Sequence, residues 1–251
     1  MNKTLLCTLL LSFAGSACAQ QAAPATDTDL PDHLTGDIGP GVFRLERNIL
    51  GKSDKTTVLP YAYFDYKRFF ARLDTFGFKT VKMGAGYLEL AARVNFDHMD
   101  AERGLNRRSN SVPIGIGTLQ ETRFGAFFLN AFYDVNKSHG TLLEAIYAAQ
   151  VDVGRAHIYP QVGIERRSGS YNDYFYGVTA SESTTSGFRE YHAGASTSPM
   201  LGLTIEMPLA ENWVGNITFR RKWLGNGIAN SPIINHSTEN MGLIAINYHF
   251  K

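Results

Sequence analysis

His236, Ser237 and Glu239 bring an imidazole, a hydroxyl and a carboxylate close together in the chain, the set that nucleophilic hydrolysis requires. Neighbours on an extended segment point to opposite faces, so His236 and Ser237 are poorly placed to share a proton, and no catalytic residue is assigned. The remaining histidines, His33, His98, His139, His157, His192 and His249, show no short metal-ligand spacing such as H-E-x-x-H. Cys7 and Cys18 are the sole cysteines, and no metal or other cofactor is expected. Gly84, Ala85 and Gly86, and the pair Gly115 and Gly117, could suggest phosphate loops. No helical pattern follows either, so they read as strand glycines that permit curvature. A formal net charge of +1 supplies no basic surplus for nucleic acid.

The charges that do recur have a position in common. Glu89, Arg93 and Asp97 lie on one face of an alternating segment whose other face is Leu88, Leu90, Ala92, Val94 and Phe96. Leu201, Leu203, Ile205, Met207 and Leu209 oppose Gly202, Thr204, Glu206 and Pro208; Ile217 and Phe219 oppose Asn216, Thr218, Arg220 and Lys222. Glu165 and Arg167 occupy the polar side of Ala156 to Arg167. A charged face opposite an apolar one suits water inside and lipid outside. Glu89, Arg93, Glu206 and Arg220 are therefore expected to face a lumen, where charges of mixed sign in a narrow barrel line a channel or pair with one another and plug it.

The elements that position them are strands. Segments of about ten residues with period-two alternation recur down the chain between Gly, Asn, Asp and Ser clusters. Twelve are expected: near 40–48, 56–66, 67–75, 79–97, 111–120, 122–135, 140–151, 155–167, 173–180, 199–208, 212–223 and 240–250. Beyond the first twenty residues no apolar run approaches the roughly 18 to 20 residues of a membrane helix. In a bilayer the strands must close on themselves, because every backbone polar group there has to be paired within the protein. The fold class is thus all-β: a closed antiparallel transmembrane barrel of about 12 strands, the alternative being a soluble periplasmic sandwich. Aromatics near strand ends, among them Tyr61, Tyr66, Tyr174, Trp213 and Trp223, suit interfacial girdles.

Both ends carry targeting information. Lys3, the apolar stretch Leu5 to Phe13 and the small residues Ala17 and Ala19 form a signal peptide over 1–19, cut between Ala19 and Gln20. The alternative, lipidation of Cys18, meets Gly15 where a large aliphatic residue belongs. Cleavage removes both cysteines and leaves basic and acidic residues equal in number. An Ala, Pro, Asp and Thr-rich segment, 20–41, reads as a flexible periplasmic lead, and 42–251 as the barrel. The last strand ends in Tyr248 and Phe250, resembling the C-terminal assembly signal of outer-membrane barrels, although Lys251 follows where Phe is normally final.

The run Tyr174 to Val178, then Ser181 and Glu182, Gly187, Tyr191 and Gly194, Trp213, Trp223 and Leu224, and Asn230 to Ile233 is similar to the MipA/OmpV family of outer-membrane proteins. The likeness is densest over 170–251; earlier it consists of strand pattern and of Pro60 followed by Tyr61 and Tyr63. The stretch before Ser231 lacks the acidic residue usual in the family. The resemblance implies a non-enzymatic barrel in the cell outer membrane, assembled into lipid by the barrel assembly machinery through Tyr248 and Phe250. It further implies partners: a lytic murein transglycosylase and a murein synthase, which a scaffold of this type joins in peptidoglycan growth. The alternatives are a narrow passive pore and an adhesive outer-membrane protein.

Overall fold

A computed structural model of the chain describes residues 30–46, 48–49 and 54–251. Thirteen strands form one sheet: β1 (Leu34–Leu45), β2 (Lys55–Tyr66), β3 (Phe69–Arg72), β4 (Thr75–Met83), β5 (Gly86–Arg93), β6 (Ile114–Thr122), β7 (Gly125–Tyr133), β8 (Thr141–Ala148), β9 (Val151–Val153), β10 (Ala156–Arg167), β11 (Ser196–Ala210), β12 (Trp213–Trp223) and β13 (Thr238–Phe250). All pairings are antiparallel. β13 returns to β1, and β10 pairs with β11, so the sheet closes on itself. β8 and β9 lie along the same edge of β10 and act as one interrupted strand, giving a closed barrel of twelve. No helix among the described residues is long and apolar enough to cross a membrane.

Alternation decides which side chains meet lipid. Ile158, Ile205, Ile217, Ile244, Val42 and Val58 stand directly opposite one another across β10, β11, β12, β13, β1 and β2. β-branched pairs of this kind favour the pleated surface. The intervening residues Thr204, Thr218 and Leu243 turn inward and are shielded. Connections at one end are two-residue turns (67–68, 84–85, 123–124, 154–155, 211–212), while those at the other include the long segments 94–113, 168–195 and 224–237. Outer-membrane barrels keep short turns on the periplasmic side. That end carries an aromatic belt: Trp213 meets Tyr248 edge-on at 5.6 Å, Tyr248 meets Phe250 at 4.9 Å, Phe69 meets Phe78 at 5.3 Å and Phe127 meets Tyr147 at 4.9 Å.

Three expectations change. The segment 79–97 is not one strand but the β4–β5 hairpin, because Gly84 adopts φ +61° and reverses the chain. Gly84 is therefore a turn glycine; Gly86 opens β5, where a Cβ would stand 1.8 Å from the Leu119 carbonyl oxygen. The segment 173–180 is not a strand: Gly169–Tyr176 forms helix α1, with the Ser168 side chain accepting from the Tyr171 N–H at its start. Its buried residues, Tyr171, Asn172, Phe175 and Tyr176, have helical spacing, so burial of one face outweighs the β propensity of the aromatics. The two differences cancel in the strand count. Finally, β1 begins at Leu34, inside the segment expected to be a flexible lead to residue 41. Gly36, Gly39, Pro40 and Gly41 look turn-like locally, yet pairing with both β13 and β2 holds them extended. At Gly39 the approach is so close that a Cβ would meet the Ile246 carbonyl oxygen at 2.0 Å. The expected signal peptide, with its cut at Ala19 and Gln20, lies outside the described residues.

β3 is short, so it covers only Tyr63–Tyr66 of β2. The Ala62 carbonyl accepts from the Leu73 N–H at 2.8 Å, which places the β3-facing backbone groups of β2 on even-numbered residues. Pro60 falls in that set and brings no N–H to the uncovered edge, a usual protection of edge strands. Val58, next along the edge, is 70% exposed.

Candidate functional site: the charged lumen and its outer cap

The inward faces of the strands carry complete ion pairs. Glu89 on β5 is 2% exposed, and its two carboxylate oxygens accept from the Arg72 guanidinium at 2.9 Å each. The Arg72 guanidinium lies 4.1 Å from the Phe70 ring centroid. Arg93 donates to both oxygens of Glu144 on β8 at 3.0 and 2.7 Å and through Nε to the Thr75 hydroxyl at 2.9 Å. Asn130 donates to the same carboxylate at 3.1 Å, and Phe132 lies under the Arg93 guanidinium at 4.7 Å. Higher in the lumen Arg167 bridges Glu165 at 2.8 Å and Asp97 at 3.1 Å, and Lys222 bridges Glu165 at 3.4 Å and Glu239 at 3.0 Å. An ion taken out of water costs several kcal/mol unless paired with good geometry. These side chains satisfy that condition by pairing with one another on the inner wall of the barrel.

Above the ion pairs the long connections fold inward. Tyr171, Phe175 and Tyr176 of α1 and Ile228 of α3 (Asn226–Ala229) join Phe70, Phe132 and Leu142 of the wall in one apolar cluster. Asn172 ties α1 to the rim, donating to the Gly194 carbonyl at 2.8 Å and the Ser196 hydroxyl at 2.9 Å; Ser231 donates to the Tyr176 carbonyl at 2.6 Å. Met99, Leu105, Val178 and Ile233 make a second cluster outside the first. Helix α2 (Ala180–Ser186) starts with a reciprocal cap, Thr179 accepting from the Glu182 N–H while Glu182 accepts from the Thr179 N–H. Glu182 also accepts from the Asn106 N–H at 2.8 Å and pairs with Arg108 at 2.8 Å. Burial pushes the Glu182 carboxyl up, but the N–H groups of Thr179 and Asn106, together with Arg108 and the Thr179 hydroxyl, outweigh it and hold the group at about 2. The cap is thus pinned by a carboxylate that stays charged.

Of the four lumen residues expected from sequence, Glu89 and Arg93 lie in different pairs, on Arg72 and Glu144. Glu206 is half-buried opposite His157 on β10 and Asn216 on β12. Arg220 is half-buried between Gly202 and Met241. Sequence reading did not pick out Arg72, Glu144 or the Glu182–Arg108 lock. Glu144 was findable, since it is the single charge on the Leu142, Glu144, Ile146 face of β8. Arg72 was not, because β3 is too short to show alternation. His236 and Ser237 are exposed, and Glu239 is engaged by Lys222, so the three do not assemble. A second Ser–His neighbour pair, Ser138 and His139, is also tied down: the Ser138 hydroxyl donates to Asp134 at 2.7 Å. Tyr248 and Phe250 stand in the aromatic belt, Phe250 opposite Gly36 of β1. No group of three or more metal-ligating side chains occurs among the described residues.

A closed barrel with a lipid-facing apolar wall, an aromatic belt and a lumen filled by its own charged side chains defines an outer-membrane β-barrel protein. More narrowly, the chain belongs to the MipA family: the profile described as MltA-interacting protein MipA matches residues 38–250. An Escherichia coli protein named as an outer membrane protein, YiaT, is 24% identical over 258 residues, spanning 100% of this chain and 99% of its own. Outer membrane protein OmpV of Vibrio cholerae is 29% identical over 157 residues, 61% of this chain and 60% of that protein. The MltA-interacting protein of Escherichia coli is 26% identical over 164 residues, 65% of each chain. Among solved structures, an anion-selective porin from Comamonas acidovorans aligns with 86% of this chain and 98% of its own at 8% identity and a TM-score of 0.33.

Proposed function

We propose that the protein is an outer-membrane scaffold that holds a lytic murein transglycosylase and joins it to a murein synthase, acting through its surfaces and carrying out no turnover of its own. The observation that carries the reading is the occupied lumen. Arg72 with Glu89, Arg93 with Glu144, and Arg167 and Lys222 with Glu165 fill it with mixed charge, beneath an apolar plug from α1 and α3. A selective pore needs a ring of one sign around an open path. A barrel plugged in this way has its periplasmic turns and its outer cap left to offer a partner. The choice of murein enzymes follows the name of a relative that is 26% identical.

The test is a pull-down from detergent extracts with the tagged, folded protein, paired with planar-bilayer recordings of the same preparation. Retention of a lytic transglycosylase without conductance steps is the expected result. Ion-conducting steps with no affinity for either murein enzyme would replace the scaffold by a narrow passive pore.

A further inference from the structure

The periplasmic mouth of the barrel holds a cavity of about 400 Å³ between β1 and β6, on the side away from the β11–β13 strands. Leu30 and Pro31 line its outer lip, anchored by the Lys67 N–H, which donates to the Pro31 carbonyl at 2.8 Å. We propose that this cavity binds a zwitterion of the α-amino-acid type, the charged end of a short peptide or a free amino acid. The proposal is independent of the scaffold reading.

The argument rests on what remains after the lining charges have paired. Arg72 and Glu89 form the floor and neutralise each other's charge through two hydrogen bonds. Lys79 pairs with Asp65 at 2.9 Å, which leaves its ammonium with hydrogen atoms to donate, and the same ammonium lies 5.8 Å from the Tyr87 ring centroid. The Tyr87 hydroxyl is buried and has no hydrogen-bond partner among the described residues. A buried hydroxyl without a partner is a cost to the fold, and a small turn of the ring toward the cavity would let a ligand acceptor relieve it. Glu121, at the rim of the cavity, is exposed and has no ion pair among the described residues. The residual capacity is therefore two kinds of donor, Lys79 on β4 and Tyr87 on β5, and one unneutralised carboxylate, Glu121 on β6. A carboxylate alone would meet Glu121 and an amine alone would meet Lys79, whereas a molecule carrying both groups satisfies each end. The volume is within the range of small-ligand sites.

The experiment uses the full folded chain in detergent micelles, titrated by calorimetry and by saturation-transfer NMR. The probes are glycine, the murein tripeptide of alanine, glutamate and diaminopimelate, and the one-ended controls N-acetylglycine and glycinamide. Blocking either end should weaken binding about tenfold or more, the worth of one charge-assisted hydrogen bond. Glu121→Gln should weaken glycine about tenfold while leaving N-acetylglycine unchanged, and Tyr87→Phe should weaken glycine and N-acetylglycine alike. Tighter binding of the tripeptide than of glycine identifies murein as the source; equal binding identifies free amino acids. Both variants should retain the heat-modifiable migration of the folded barrel, which separates a lost site from a lost fold. Blocked and unblocked probes binding equally, or no probe binding at about 10 mM, the weak end of specific affinities, would overturn the proposal.

Discussion

Replacing Glu144 by Gln strands the Arg93 guanidinium inside the barrel wall. The side chains of Arg93 and Glu144 are 9% and 6% exposed, and their two hydrogen bonds at 3.0 and 2.7 Å make the pair bidentate. Removing one partner of a buried pair costs about 3–5 kcal/mol, because the surviving charge has no water to return to. Arg93 keeps the Thr75 hydroxyl at 2.9 Å and a distant Asp74 oxygen at 3.8 Å, and glutamine still accepts one hydrogen bond, so the lower end, about 3 kcal/mol, is expected. The companion variant Arg93→Met with Glu144→Leu removes both charges and should recover most of the loss, since apolar replacement of a buried pair is often neutral. Urea unfolding of the barrel in lipid vesicles, followed by tryptophan fluorescence and by gel migration, reports both numbers. A single variant costing less than about 1 kcal/mol, the worth of an exposed pair, would refute the claim that this part of the lumen is closed to water. So would a double variant no more stable than the single.

Three further outcomes are expected. The Glu182 carboxyl sits below its ordinary value, so the stability it lends to the outer cap is present above pH about 4.5 and is lost as pH falls toward about 2; protease nicking of residues 94–113 and 168–195 should rise over that window, and a flat response would count against it. Ile244→Lys, on the lipid face, should destabilise the barrel by about 2–4 kcal/mol in bilayers, whereas Ile244→Leu should be nearly neutral; equal effects would place Ile244 away from lipid. Phe250→Ala should lower outer-membrane insertion, read as loss of heat-modifiable protein in membrane fractions, and unchanged yield would shift the assembly role to Tyr248 alone.

The lipid-facing set was legible in the sequence because a strand wall has a period of two and the bilayer has no tolerance for polar groups on its side. Leu201, Leu203, Ile217 and Ile244 need no neighbour to declare themselves, and all are exposed on the outer surface of the barrel. The lumen was legible only as composition. Alternation says that Glu89 and Arg93 share a face, and it says nothing of who holds them: Glu89 is taken by Arg72, which is near in sequence, and Arg93 by Glu144, 51 residues away. Ring closure and strand stagger set those pairings.

Local chemistry was misleading where tertiary contacts overruled it. The aromatic run at Tyr174 to Tyr176 has the composition of a strand, yet it coils into α1 because the barrel mouth offers Phe132 and Leu142 to one helical face. Gly36 to Gly41 has the composition of a loop, yet it is held extended because β13 arrives from the other end of the chain and needs a partner to close the barrel. Periodicity, charge balance and the aromatic C-terminal strand determine by themselves that this chain makes a lipid-facing barrel, since each reports on the solvent that one residue meets. The closing of the lumen was decided only by the tertiary structure, because an ion pair or a plug depends on which distant side chains the ring brings within about 3 Å of one another.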